Sequence, residues 1–199
     1  MIKLSDEGLL SRGANRACYQ HPDFSGRCVK VDLGSQQGTR DGTNAIEFAF
    51  HTSLSRRLGE VFFHHAPQCY GTAETNRGQG LVFEMIRDVD GMVSRRLPDF
   101  LAEAPGRAAE ALAGIDTFQA FVREHDIRLF DVNVHNLLVR RARDQPPRLV
   151  VIDWKGPAAS REGIPVSRYI PWFAHRKIDR RFGRLRDWVR RAGDDAANA

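Results

Sequence analysis

The sequence predicts an α+β chain of two lobes, and three observations predict it. Strand-like runs bounded by turn residues fill most of the first 86 residues, with a single helix-forming stretch among them. Residues 87–199 are mainly helix-forming, with one pair of short apolar strands set into them. The chain has 199 residues, 42% hydrophobic and 28% charged, which suits one soluble domain or two small lobes. The expected division is therefore 1–86 for a strand-rich N-terminal lobe and 87–199 for a reduced helical lobe.

In the first lobe, Gly8–Ser11 and Arg16–His21 flank a turn at Arg12–Asn15, and Asp23–Gly26 is a second turn signal. Arg27–Leu33 alternates, with Cys28, Lys30 and Asp32 on one face and Val29, Val31 and Leu33 on the other. Gly34–Gly42 is polar and Gly-rich and reads as a loop. Thr43 or Asn44 caps a helix to about Leu58, whose apolar positions Ile46, Phe50, Leu54 and Leu58 recur every four residues. Gln68–Glu74 and Gly80–Ile86 then form a hairpin around Thr75–Gln79.

Arg87–Val93 is a polar connection. Pro98 starts a short helix, and Arg107–His125 forms a longer one, weakened by Gly114. Strands at Asn136–Arg140 and Arg148–Asp153 are joined through Ala142–Pro147. The last helix spans roughly Trp172–Ala192, with an apolar stripe of Ile178, Phe182, Leu185 and Val189, and Gly193–Ala199 reads as a frayed tail.

Composition narrows the function classes. Cys18, Cys28 and Cys69 show no CxxC spacing, which argues against a disulfide framework or a zinc site and for a reducing compartment. The first residues lack a signal-peptide pattern, and no apolar run approaches the roughly 20 residues that span a bilayer. The expected location is the cytoplasm. The formal charge is +5, with arginines gathered between Arg176 and Arg191. Such a cluster usually forms a solvated helix face, with contact to an anionic surface as the sharper reading. Nucleic acid is not an expected partner, because neither stacking aromatics nor zinc-finger spacing accompanies the charge.

The chemistry concentrates in two segments. In the first, Asp131 precedes Asn136 with four residues between, and an apolar strand follows. In the second, Leu149–Ile152 delivers Asp153 at the end of a strand that should be buried, where a carboxylate needs a metal or a paired charge. Phosphoryl transfer needs a proton acceptor, metal ligands and cations near the phosphates. Asp131 fits the acceptor, and Asn136 and Asp153 fit the Mg²⁺ ligands. Lys30, in Cys-Val-Lys-Val, fits the cation on the α- and β-phosphates of ATP, and Glu47 in the next helix fits its ion-pair partner. The backbone around Glu84, Met85 and Ile86 would meet the adenine edge, Cys28 would lie over the base, and Gly13 would sit in the phosphate-covering turn.

These residues resemble the protein kinase-like superfamily. The spacing, the compact length and the opening Leu-x-x-Gly…Cys-Tyr-x-His-Pro pattern are similar to the YrbL family, the PhoP regulatory network proteins of bacteria. The resemblance covers nearly the whole chain and implies a two-lobed kinase-like fold with a truncated C-lobe. It names no phosphoacceptor; Ile152-Asp-Trp also resembles aminoglycoside and choline kinases, which keeps sugars, lipid head groups and other small molecules open. The sequence departs from protein kinases in having one glycine, Gly13, in the covering turn. It also has Asn133 where they place a lysine, so Lys155, Arg12 and Arg16 are the candidate replacements. The alternative is a pseudokinase, a nucleotide-sensing or scaffolding protein without turnover.

Overall fold

The computed structural model describes residues 1–34, 42–129, 132–143, 145–156 and 171–197. Side chains are not described at 105, 171–175 and 195–197. The expected proton acceptor, Asp131, and most of the Gly-rich loop lie outside the described residues. The fold is α+β, and the chain divides into two compact units, Met1–Phe63 with Pro67–Ile86, and His64–Ala66 with Arg87–Ala199.

The first unit is a five-stranded antiparallel sheet with one long helix, α1 (Thr43–Leu58). Its strands are β1 (Leu9–Arg12), β2 (Arg16–Gln20), β3 (Arg27–Asp32), β4 (Cys69–Thr75) and β5 (Gly78–Glu84), in the spatial order β1-β2-β3-β5-β4. The register sets Val29 opposite Val82 and Cys28 opposite Phe83. Val29, Val31, Ala17, Tyr19, Val82 and Leu4 make the core on one face. Cys28, Leu81, Phe83 and Met85 make the core on the other, with Phe48 of α1 packed against it. Because both faces are covered, Cys28–Val31 is buried residue after residue, Lys30 included.

The buried stripe of α1 differs from the apolar register in the sequence. Glu47, His51 and Leu54 are buried, whereas Ile46, Phe50 and Leu58 are only partly so. The helix turns a polar line inward where both Glu47 oxygens and His51 Nε2 find partners, while His51 Nδ1 is buried without one among the described residues. His51 donates from Nε2 to the Pro67 carbonyl at 2.8 Å, with its ring edge-on to Phe62 and Phe83. Burial keeps its pKa below the usual histidine value.

The second unit contains a three-stranded sheet in the order β6-β7-β8, from β6 (Arg95–Arg96), β7 (Leu137–Ala142) and β8 (Gln145–Val151). Helices α2 (Leu97–Glu103), α3 (Ala108–Glu124) and α4 (Pro171–Ala197) complete it. The β7–β8 hairpin is tighter than its prolines suggest. Pro146 and Pro147 lie within β8, an edge strand, next to a register shift at Arg140/Ala142, where a missing N–H costs little. Strand β6, too short to read from sequence, pairs Arg95 with Val139.

Helix α3 packs on β8 and α4. Gly114 is part of that approach: a Cβ there would meet the Leu149 side chain and the Pro147 carbonyl at 3.4 Å. His65 stacks near Phe118 and Phe121 and bonds the Leu149 carbonyl at 2.7 Å; burial pushes its pKa down to about 4. The stripe Ile178, Phe182, Leu185 and Val189 is buried, with Phe182 5.5 Å from Phe118. Arg123–Asp179 and Arg186–Asp116 tie the two helices at their margins. Helix α4 continues through the expected frayed tail to Ala197, helped by Gly193, whose bare Cα sits against Ala108. Among the described residues, no helix is long and apolar enough to cross a membrane.

Candidate functional site

In the first unit, Lys30 on β3 and Glu47 on α1 meet where the strand is buried on both faces. The Lys30 ammonium donates to Glu47 Oε1 at 2.7 Å and lies 4.2 Å from the Phe83 ring centre. The Glu47 side chain is wholly buried, and its Oε2 accepts from Arg16 Nη1 of β2. Two flanking cations take the place of water around this buried carboxylate. Arg16, a candidate phosphate cation in the sequence, is thus directed at Glu47. This pairing joins β2 to α1 across 31 positions and has no local sequence signal.

The other expected nucleotide contacts are mixed. Cys28 is buried in the Phe83 core, and its thiol points to the Glu84 carbonyl at 3.9 Å. The neighbouring Cys18 thiol, followed by burial, raises the pKa of Cys28 well above the ordinary value. The Glu84 and Met85 amides are engaged within the unit, donating to the Gln68 and Gly26 carbonyls at 2.8 Å each. Among the described residues, the amide of Ile86, the third residue expected at the base edge, makes neither of these bonds. The Gly13 amide closes the β1–β2 turn onto the Arg16 carbonyl at 2.8 Å.

In the second unit, main-chain register brings Asn136 and Asp153 to one end of the β7–β8 hairpin. Leu137 pairs with Val151, and one step beyond, the Ile152 amide donates to the Asn136 carbonyl at 2.9 Å. Asn136 closes a short 3-10 turn begun by Asn133, whose side chain accepts from the His135 amide at 3.0 Å. Asp153 follows β8 and is buried, and Lys155 sits on its Oδ2 at 2.7 Å. On the approach to Asp131, Leu129 is buried and Arg181 of α4 donates to its carbonyl at 3.3 Å. The Asn136 amide oxygen and the Asp153 carboxylate are hard oxygen donors of the kind that suits Mg²⁺. Among the described residues, no group of three or more His, Cys, Asp or Glu is placed to hold a metal. Mg²⁺ sites beside phosphates commonly use one or two carboxylates, with water and phosphate oxygens as the other ligands.

Comparison with known proteins gives the following. YrbL of Escherichia coli (strain K12) is 29% identical over 189 residues, covering 93% of this chain and 86% of that protein, and YrbL of Shigella flexneri matches to the same extent. Among solved structures, a double-mutant kinase domain of Mycobacterium tuberculosis PknI aligns with a TM-score of 0.48 at 18% identity, over 79% of this chain and 61% of that one. WbdD, crystallised with a kinase inhibitor, aligns with a TM-score of 0.46 at 16% identity, over 71% of this chain and 31% of that one. This chain thus spans less than two thirds of either. The family described as PhoP regulatory network protein YrbL matches residues 2–189, and the chain belongs to that family.

Proposed function

We propose that this protein is a Mg²⁺- and ATP-dependent phosphotransferase, with Asp131 accepting the proton of the substrate hydroxyl. The observation that carries the reading is the wholly buried Glu47 carboxylate holding Lys30 at 2.7 Å. A fold gains little stability from a buried ion pair over apolar packing, so its presence on the main buried face of α1 calls for a function. Lys30 holds the α- and β-phosphates, Glu47 orients Lys30, and Ile86 offers its amide to the adenine edge. Asn136 and Asp153 hold the metal, which when bound neutralises charge on the phosphates. The substrate is a small hydroxyl compound, a sugar or a lipid head group, because Ile152-Asp153-Trp154 resembles the matching segment of aminoglycoside and choline kinases.

Two observations favour a second reading, a nucleotide-sensing or scaffolding protein without turnover. Lys155 occupies an oxygen of the expected metal ligand Asp153, and the Gly13 amide is spent on its own turn. Transfer of the γ-phosphate of labelled ATP, with and without Mg²⁺, to a panel of sugars, lipid head groups and peptides separates the two. Turnover in the wild type that vanishes in Asp131→Ala supports the enzyme. Nucleotide binding with no transfer to any acceptor and no ATP hydrolysis supports the sensor.

A further inference from the structure

We propose that Arg16 is a positioning residue that fixes Glu47, and with it α1, independently of Lys30. The inference rests on the phosphotransferase reading for the role of Lys30. The two oxygens of Glu47 serve two cations from two strands, Oε1 taking Lys30 at 2.7 Å and Oε2 taking Arg16. Arg16 lies opposite Asp32, and Cys18 lies opposite Lys30, so both cations project from the same face of the sheet.

Asn44, three residues before Glu47 on α1, completes the clamp. Its Oδ1 accepts from Arg16 Nη1 at 3.4 Å, and its Nδ2 donates to the Lys30 main-chain carbonyl at 2.9 Å. Its own amide donates to Asp32 Oδ2 at 3.3 Å. The helix start is pressed against β3 as well: a Cβ on Gly42 would lie 2.6 Å from Asp32 Oδ2. None of these bonds uses the Lys30 ammonium.

A buried carboxylate with a single cation is left uncompensated whenever that cation turns to a phosphate. With Arg16 in place, Glu47 keeps a partner while Lys30 engages ligand, and α1 stays docked on the sheet. In this arrangement Lys30 is replaceable for the position of α1, and Arg16 is not.

Hydrogen exchange of the α1 amides, read on the full chain together with Mg²⁺-ATP affinity, tests this. Arg16→Met is expected to speed α1 exchange by about tenfold or more while α3 stays protected, because local opening is read directly by exchange. ATP affinity should fall by a similar factor, about tenfold, since only the docked fraction binds. Arg16→Lys should recover most of both effects, and Lys30→Met should leave α1 exchange within about threefold of wild type. If Arg16→Met unfolds the chain and α3 loses protection too, Asn44→Ala is the milder variant, expected to speed α1 exchange selectively. Unchanged α1 exchange in Arg16→Met, or in Asn44→Ala where that variant is needed, overturns the proposal. So does loosening of α1 by Lys30→Met as large as that by Arg16→Met. A wild type that binds no ATP, with the exchange pattern intact, overturns the phosphotransferase reading and leaves the clamp standing.

Discussion

Helices α1 and α4 each bury one face, but with opposite chemistry. Helix α4 turns Ile178, Phe182, Leu185 and Val189 inward and leaves Arg180, Arg184 and Arg191 outside. Helix α1 turns in Glu47 and His51 along with Leu54, and leaves Ile46 and Phe50 half-buried. The first arrangement follows the hydrophobic effect, which favours whichever face removes most apolar area from water. The second runs against it and holds only because Arg16, Lys30 and the Pro67 carbonyl meet the buried polar groups. An element that buries charge where apolar packing would serve marks a place kept for chemistry; one that buries its greasiest stripe marks a place kept for stability.

The contrast makes α4 the more sensitive to loss of volume. Phe182→Ala should destabilise the protein by about 3–5 kcal/mol, the usual range for a buried phenylalanine, as read by urea unfolding. Little loss would mean that the α4 stripe is not the core of its unit. Glu47→Gln attacks the other helix by removing charge at nearly constant volume. It leaves two cations without their shared carboxylate and should cost about 3 kcal/mol, in the range for breaking buried pairs. A neutral result in the same unfolding experiment would show that the α1 cluster is not held by charge.

Acid should strain both units through their buried histidines. Burial lowers the native pKa of His65 to about 4 and also lowers that of His51. The unfolded chain takes up the His65 proton near pH 6.5, before the native state does, so stability falls as pH drops from about 6.5 to about 4. The His65 contribution is about 3 kcal/mol, fully present above that window and lost below it. Thermal melts across pH 4–8 should show this slope, with His65→Gln flattening part of it; an unaltered slope would assign it to other groups. The smallest effect is expected on the outer face of α4. Arg184→Ala should change stability by no more than about 0.5 kcal/mol, as exposed substitutions usually do.

The same contrast explains what could be read from the sequence. The α4 stripe was legible because apolar spacing and burial coincide there. The strands β1–β5 were legible because turn residues bracket them, and the Lys30–Glu47 pairing because the lysine of Cys-Val-Lys-Val is followed by a helical glutamate at the spacing that the kinase resemblance implies. The inward face of α1 was not, since apolar spacing favours Ile46 and Phe50, and the groups that reverse it come from β2, β3 and the segment before β4. Arg16 reads as a candidate phosphate cation and not as a partner of Glu47 for the same reason: that partner is 31 positions away. Gly114, which looks like a weak point in a helix, and Gly193, which reads as the start of a frayed tail, are sites of close packing against Leu149 and Ala108. The shared end reached by Asn136 and Asp153 depends on hairpin register, and the strand spacing only hinted at it.

The proposed function makes two claims on the chain: Lys30, held by Glu47, engages the phosphates of ATP, and Asp153 engages Mg²⁺. The most direct measurement is the melting temperature of the full chain with ATP, with and without Mg²⁺, in wild type, Lys30→Met and Asp153→Ala. Ligand at about 100 times its dissociation constant adds about 2.7 kcal/mol to folding, a clear upward shift. The expected result is a Mg²⁺-dependent rise in the wild type that Asp153→Ala loses in its metal-dependent part and Lys30→Met loses almost entirely. A wild type whose melting temperature does not move at millimolar Mg²⁺-ATP would contradict both claims.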